Sequence, residues 1–313
     1  MRILITGATG LIGREIVKLC RQQGIAVHYL TTDSSKIVSR ENYRGFYWDT
    51  NRFEIDEACF KGVDAIINLA GSSIAKRWTS SYKKVILGSR VNSILTLKKG
   101  LVQADVKVRT IVSSSAIGIY PDSGVNYYEE SFSGIDQSFL GTIVEKWEAT
   151  AEELKECTDS LAVIRTGLVL SGDGGALPKM VRPVNNYVGS PFGNGQQWQS
   201  WIHITDLARI FLFAIKHQMS GVYNGVAPNP VTNEKLIRSI AEVLEKPILF
   251  PKVPAFILQF VLGEMSHAVL ASQRVSSKKI QEEGFGFKYP NLQGALREII
   301  LGYKKSQFNE ELA

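Results

Sequence analysis

The stretch MRILITGATGLIG, residues 1–13, decides the fold. Arg2 to Thr6 is a short apolar run of the kind that forms a fully buried strand. Gly7, Gly10 and Gly13 then punctuate the start of an amphipathic segment that reaches about Arg21. Strand, glycine-spaced turn and helix together make an anion site. The turn lets backbone N–H groups approach a pyrophosphate, and the helix N-terminus adds partial positive charge. Gly7, Thr9, Gly10, Leu11, Ile12 and Gly13 are the residues such a group would rest against. Glycines also serve ordinary turns, but this triad follows directly on Ile3-Leu4-Ile5.

Composition bounds the remainder. The 313 residues are 44% hydrophobic and 21% charged, ordinary values for a globular chain that can bury a large core as one unit or two lobes. No run of eighteen apolar residues marks a membrane span, and glycines interrupt residues 4–12, so these do not read as a signal peptide. A cytoplasmic protein with no membrane partner is expected. The net charge of +6 is spread over short stretches without a dense basic block, which suits an anionic cofactor at least as well as nucleic acid, and no nucleic-acid partner is expected. Cys20, Cys59 and Cys157 are too scattered for a disulfide framework or a zinc cluster. His28, His203, His217 and His267 show no metal-ligand spacing, so no metal is expected. His203 is expected to play a structural part beside Asp206, with a hydrogen bond to substrate as the alternative.

Strand-like runs at 3–6, 26–31, 65–69, 110–114 and 162–166 alternate with segments long enough for crossover helices. The pattern predicts an α/β fold with a doubly wound parallel sheet. Right-handed crossovers put the carboxyl ends of the strands along one edge, so Gly7, Thr31, Ala70 and Ser115 converge there. Composition shifts after Ser171, where glycine-rich loops at 172–175 and 189–195 bracket a helical piece at 177–185. Later helices are expected at 205–217, 233–244, 255–262 and 292–303. Residues 1–170, with 200–230 returning to them, read as a dinucleotide-binding domain. Residues 171–199 and 231–303 read as a smaller C-terminal substrate lobe, and 304–313 as a polar tail.

With the glycine triad come Asn68-Leu69-Ala70-Gly71, Ser113-Ser114-Ser115-Ala116 followed by Tyr120, Arg165-Thr166-Gly167 and Gly221-Val222-Tyr223-Asn224. Together they resemble the landmarks of the extended short-chain dehydrogenase/reductase superfamily. Lys76-Arg77-Trp78, Ser89-Arg90, Ser200-Trp201-Ile202-His203, Pro230-Val231-Thr232-Asn233 and Leu262-Gly263-Glu264-Met265 narrow the likeness. They resemble an atypical epimerase-family branch named for a nucleoside-diphosphate-sugar epimerase. That branch carries its own C-terminal domain of unknown function, which residues 251–297 resemble.

The resemblance implies a Rossmann fold and a nicotinamide dinucleotide. Leu69, Ala70 and Gly71 would pass under the adenine ribose, with Ser113, Thr166 and Gly167 further along the cofactor. Arg90 stands where the superfamily usually places an Asn; it reads either as an anion-holding guanidinium or as half of a structural ion pair. Arg77 with Trp78 has the same two readings, the structural one preferred. Thr31 and Thr32 occupy the place of the acidic residue that grips the ribose in NAD-preferring members. With Ser34 and Lys36 they offer donors to a 2′-phosphate, so NADP is expected and NAD is the alternative. Asp33 fits a turn cap.

The superfamily's acid–base pair is a Tyr and a Lys four residues apart on one helix. Counting about twenty-five residues from Ser115 lands on Leu140 and Val144, neither of which moves a proton. Ser115 keeps a role in orienting a substrate oxygen, and Tyr120, Tyr127 or Tyr128 is left as a loop-borne proton donor, with packing or hydrogen bonding the preferred reading for Tyr120. Glu145 and Glu148 are expected on the solvated face. The leading expectation is an NAD(P)-dependent oxidoreductase or epimerase-type enzyme for a small polar substrate, with Ser115 and Tyr120 as catalytic candidates. The alternative is a non-catalytic NADP(H)-binding regulator or scaffold. The apolar stripe at 139–154 packs in the core or against a second copy, as in a homodimer.

Overall fold

The computed structural model describes residues 1–311 and divides into two compact units. The first comprises Met1–Ile119, Ile135–Arg165 and Ala208–Tyr223. Its sheet holds β1 (Arg2–Thr6), β2 (Ala26–Thr31), β3 (Ser39–Arg40), β4 (Tyr43–Asp49), β5 (Glu54–Ile55), β6 (Ala65–Asn68), β7 (Val108–Ala116), β8 (Thr158–Thr166) and β9 (Gly221–Gly225). The order is β9-β8-β7-β6-β1-β2-β4-β3, with β5 on β4. β1 is paired in parallel with both β2 and β6, Ile3 lying opposite Val27 on one side and Ala65 on the other. β6 continues in parallel to β7, and β2 to β4. β1 is thus central and buried on both faces, which is why its apolar residues are continuous and not alternating.

Three helices of this unit matter for the site: α1 (Leu11–Gln22), α2 (Ser80–Gln103) and α3 (Phe139–Glu152). α2 starts at Thr79, whose hydroxyl accepts the Tyr82 N–H, and α3 at Ser138, which accepts the Leu140 N–H. These caps satisfy donors that a helix start leaves open. Leu4, Ile66, Ile94, Leu97, Ile111 and Trp147 belong to one buried cluster between sheet and helices. Strand β4 extends the sheet beyond the runs expected from sequence; Gly45 in it lies under the Tyr29 ring, where a Cβ would collide. β7 runs on to Ala116, so Ser115 sits within the strand and does not follow it.

The second unit comprises Tyr120–Gly134, Thr166–Leu207 and Asn224–Ala313. It contains α4 (Leu177–Asn185), the start of α5 (Ile204–Lys216), α6 (Asn233–Leu244) and α7 (Ala255–Leu262), close to the expected spans. Its core gathers Leu177, Trp201, Leu236, Ile240, Leu296 and Ile299. The last helix, Leu292–Glu311, runs through most of the segment expected as a polar tail; Leu312 and Ala313 lie outside the described residues. Among the described residues no helix is long and apolar enough to cross a membrane, and no cluster of side chains could hold a metal ion.

Candidate functional site

The strand-to-helix turn is built from main chain. Gly7 adopts φ +70°, the left-handed region that glycine enters without strain. A Cβ on Gly7 would come within 3.1 Å of the Leu69 carbonyl and 3.3 Å of the Ala70 nitrogen. A Cβ on Gly13 would collide with the Gly7 oxygen and with Ala8 backbone. Gly10 caps α1 without any side-chain acceptor, and no acidic residue lies in the first turn. The N–H groups at the start of α1, from Leu11, Ile12 and Gly13, therefore face a cradle with no competing carboxylate. Thr9 is exposed on the turn, its carbonyl accepting from Arg14. Gly7, Thr9, Gly10, Leu11, Ile12 and Gly13 thus come together on one turn.

Behind this cradle lies a buried polar network. The Thr6 hydroxyl donates to Asn68 Oδ1 at 2.7 Å and accepts the N–H groups of Leu69 and Ala70, both at 3.0 Å. Asn68 Nδ2 donates to Ser113 Oγ at 3.2 Å. One chain of hydrogen bonds therefore ties β1 to β6 and β7. Ser113 is wholly buried within it, so its place is behind the cradle and not on its surface.

At the end of β2, Thr31 is buried and its hydroxyl is shared with the Asp33 backbone. Asp33 caps a short turn, accepting from Ser35 N–H and Ser35 Oγ, and pairs with Lys36 at 3.2 Å. The Ser35 hydroxyl, then Lys36, holds the Asp33 carboxyl below the usual carboxylate range. Thr32 is exposed beside this turn. Lys36, expected as a phosphate donor, is engaged with Asp33.

The third component is an arrangement of side chains that the sequence reading did not foresee. Ser115, only 2% exposed, donates to Glu148 Oε1 at 2.6 Å. Arg165 grips the same carboxylate side-on through one edge of its guanidinium, Nε to Oε1 at 2.9 Å and Nη2 to Oε2 at 2.8 Å. The fork geometry of guanidinium on carboxylate is the strong form of this pair. Glu148 was expected on the solvated face; its side chain is 16% exposed and Glu145 alone is open. The reason is helical register: 140, 144 and 148 recur every four residues, so Glu148 continues the Leu140–Val144 face toward the serine. Leu140 and Val144 themselves lie beside Gly118, where a Cβ would find them at 3.5 and 3.8 Å.

Arg90 projects from α2, partly buried, with its guanidinium 4.9 Å over the Trp147 ring. Its Nη1 donates to the carbonyls of Ser72, at 3.2 Å, and Ile86, at 2.9 Å. Burial pushes its pKa down to about 10. Gly71 lies against it, so that a Cβ there would sit 3.2 Å from Arg90 Cζ. Arg77 is exposed, while Trp78 is buried and donates to the Ile74 carbonyl, a structural role.

Three of the expected site residues belong to the second unit. Tyr120 is fully buried, donates its phenol proton to Asn224 Oδ1 at 2.8 Å and stacks on Tyr128 at 5.0 Å. This corrects the picture of Tyr120 as a loop-borne proton donor, because its ring is sealed among aromatics. Thr166 and Gly167 also fall there; Gly167 donates to the Gly225 carbonyl, and the Ser200 carbonyl fills the space a Cβ would need. In the same unit Arg274 lies between Tyr127 and Trp198, 5.0 and 4.5 Å from their ring centres. His203 is buried, accepts the Thr205 N–H on Nδ1 and therefore carries its proton on Nε2, toward Glu298. Asp206 instead accepts the N–H groups of Lys288 and Tyr289, so both residues are structural.

The model of the NAD dependent epimerase/dehydratase family matches residues 3–135 and 169–226, and a domain of unknown function, DUF1731, matches 253–299. An epimerase family protein of Staphylococcus epidermidis, SERP0438, is 36% identical over 300 residues, covering 96% of this chain and 99% of its own. The crystal structure of the human epimerase family protein SDR39U1 (isoform 2) with NADPH superposes with a TM-score of 0.85 at 30% identity, covering 96% and 99%. A nucleoside-diphosphate sugar epimerase from Corynebacterium glutamicum gives a TM-score of 0.76 at 28% identity, covering 96% of this chain and 58% of its own. Glycine cradle, parallel sheet and C-terminal domain agree with these matches: the chain belongs to the NAD dependent epimerase/dehydratase family.

Proposed function

We propose that this protein is a cytosolic NADP(H)-dependent enzyme that oxidises or epimerises a small hydroxyl-bearing substrate, with Ser115 and Glu148 handling the proton. The observation that carries this reading is the short Ser115–Glu148 hydrogen bond under a bidentate arginine. The cradle suits a dinucleotide because Gly7 and Gly13 leave only main chain where a Cβ would stand. When bound, that cofactor would supply hydride acceptance and return. Because Ser115 donates to Glu148, its lone pairs stay open to a substrate hydroxyl. That hydroxyl passes its proton to Ser115 Oγ as the serine proton moves to Glu148 Oε1, and Arg165 keeps the carboxylate aimed. The reverse shift returns a proton to a substrate carbonyl oxygen. NADP is favoured because Thr31 brings no carboxylate to the ribose, Asp33 is neutralised by its neighbours, and the human relative is a complex with NADPH.

The test is NADPH oxidation across a panel of aldehydes, ketones and sugar nucleotides. Ser115→Ala and Glu148→Gln should each lower kcat by about 10²–10⁴-fold at unchanged NADPH affinity. Full turnover in both variants sinks the proton route. A second reading, a non-catalytic NADP(H)-binding regulator, is favoured by one observation: Leu140 and Val144 occupy the places of the proton-moving pair. It predicts tight NADPH binding with no turnover on any substrate of the panel.

A further inference from the structure

We infer that Arg274 holds a carboxylate of the substrate, which makes the substrate class hydroxy and oxo acids; this rests on the reading above and narrows it. Arg274 opens the short strand Arg274–Val275, which pairs in parallel with Tyr127–Tyr128 and sets Arg274 opposite Tyr127. On its other side the Gln273 N–H donates to the Trp198 carbonyl. The guanidinium therefore lies between two rings, 5.0 Å from the centre of Tyr127 and 4.5 Å from that of Trp198. Such a clamp fixes its plane before any ligand arrives. No carboxylate or other acceptor among the described residues meets any of its nitrogens. Nε is buried without a partner, and the two terminal nitrogens keep contact with solvent. A half-buried cation ordered in this way is costly unless an anion completes it.

The surroundings select which anion. The side-chain N–H donors beside the guanidinium are spent on the protein itself: Trp198 Nε1 donates to the Gly124 carbonyl at 3.2 Å and Gln273 Nε2 to the Tyr120 carbonyl. Both faces of the guanidinium are covered by rings, so it offers only its open edge, one positive charge with parallel N–H groups. A carboxylate matches on both counts, with one charge and two oxygens in a plane. A phosphate monoester brings about two charges and would leave the second unanswered. The diphosphate of a sugar nucleotide has the same excess.

The experiment follows NADPH oxidation by the full chain over pyruvate, acetoacetate and 2-oxoglutarate, over their methyl esters, and over dihydroxyacetone phosphate. At least one acid should exceed its ester in kcat/KM by about 10–100-fold. Arg274→Gln should raise KM for that acid by about the same factor, with kcat, NADPH affinity and the ester unchanged. Arg274→Lys, which keeps the charge but not the fork, should recover part of the loss and carries the comparison if the glutamine variant does not fold. Calorimetric titration of the NADP⁺-loaded chain with the same acids reads binding apart from turnover. Acid binding that is lost in Arg274→Gln, with no NADPH oxidation in the wild type, upholds the contact and sinks the enzyme reading instead. Equal turnover of acids and esters overturns the proposal. Equal weakening of both in Arg274→Gln also overturns it, marking the arginine as a structural prop. A preference for dihydroxyacetone phosphate, or acids that are neither bound nor reduced, does the same.

Discussion

The glycine turn and the Ser115 cluster are built by opposite means. The turn uses main chain from one contiguous stretch, and its requirement is the absence of side chains at Gly7 and Gly13. The cluster uses three side chains from β7, α3 and β8, fifty residues apart along the chain from Ser115 to Arg165, and its requirement is charge balance in a poorly solvated place. A backbone site tolerates many sequences provided nothing intrudes. A buried charge pair tolerates almost none, because loss of one partner strands the other.

The largest effect should come from breaking that pair. Arg165→Met leaves the Glu148 carboxylate beside Ser115 without its cation, and urea unfolding should show a loss of about 3–5 kcal/mol. Adding Glu148→Leu should recover at least about 1 kcal/mol of it. A single-variant loss below about 1 kcal/mol would place both groups in solvent and erase the contrast. Next comes Gly13→Ala, where a single methyl meets the Gly7 carbonyl. Overpacking of this kind should cost about 1–3 kcal/mol and take NADPH affinity with it. Ser115→Ala should by contrast stay within about 1 kcal/mol of the wild-type stability, since the arginine still satisfies Glu148.

The smallest effect separates the regions by pH. His28 on β2 is buried with Nδ1 against the Cys59 carbonyl, and desolvation first, then Arg2 and Arg44, lowers its pKa below 6.5 despite that hydrogen bond. The unfolded chain therefore takes up a proton that the folded chain refuses. Stability from this group is present above about pH 6.5 and falls as pH drops below it, by no more than about 1.4 kcal/mol per pH unit. His28→Asn should flatten that slope in denaturation curves measured from pH 7 to pH 5. An unchanged slope would assign the acid sensitivity elsewhere.

What could be read from sequence follows the same division. Residues 1–13 announce strand, turn and helix because local spacing alone creates that site, and the parallel strands follow from apolar runs of the right length. Asp33 was legible as a turn cap. Glu148 was not, because a carboxylate in an otherwise amphipathic helix reads as solvated. A signal existed: it continues the 140–144 stripe by four residues, inside an apolar arc. Arg165 carried a second one, as a charge within the buried run Leu161–Arg165 that must find a partner. Tyr120 misled because its neighbours in sequence are loop residues, whereas the aromatic packing of Tyr128 and Phe132 that encloses it is a tertiary fact.

Thr6 is completely sealed from solvent, yet its single hydroxyl fixes three partners on the neighbouring crossover. An arriving nucleotide meets a mould that has already set, so little of its contact energy is spent on freezing loops. A residue that no ligand can reach would thereby govern how tightly one is held.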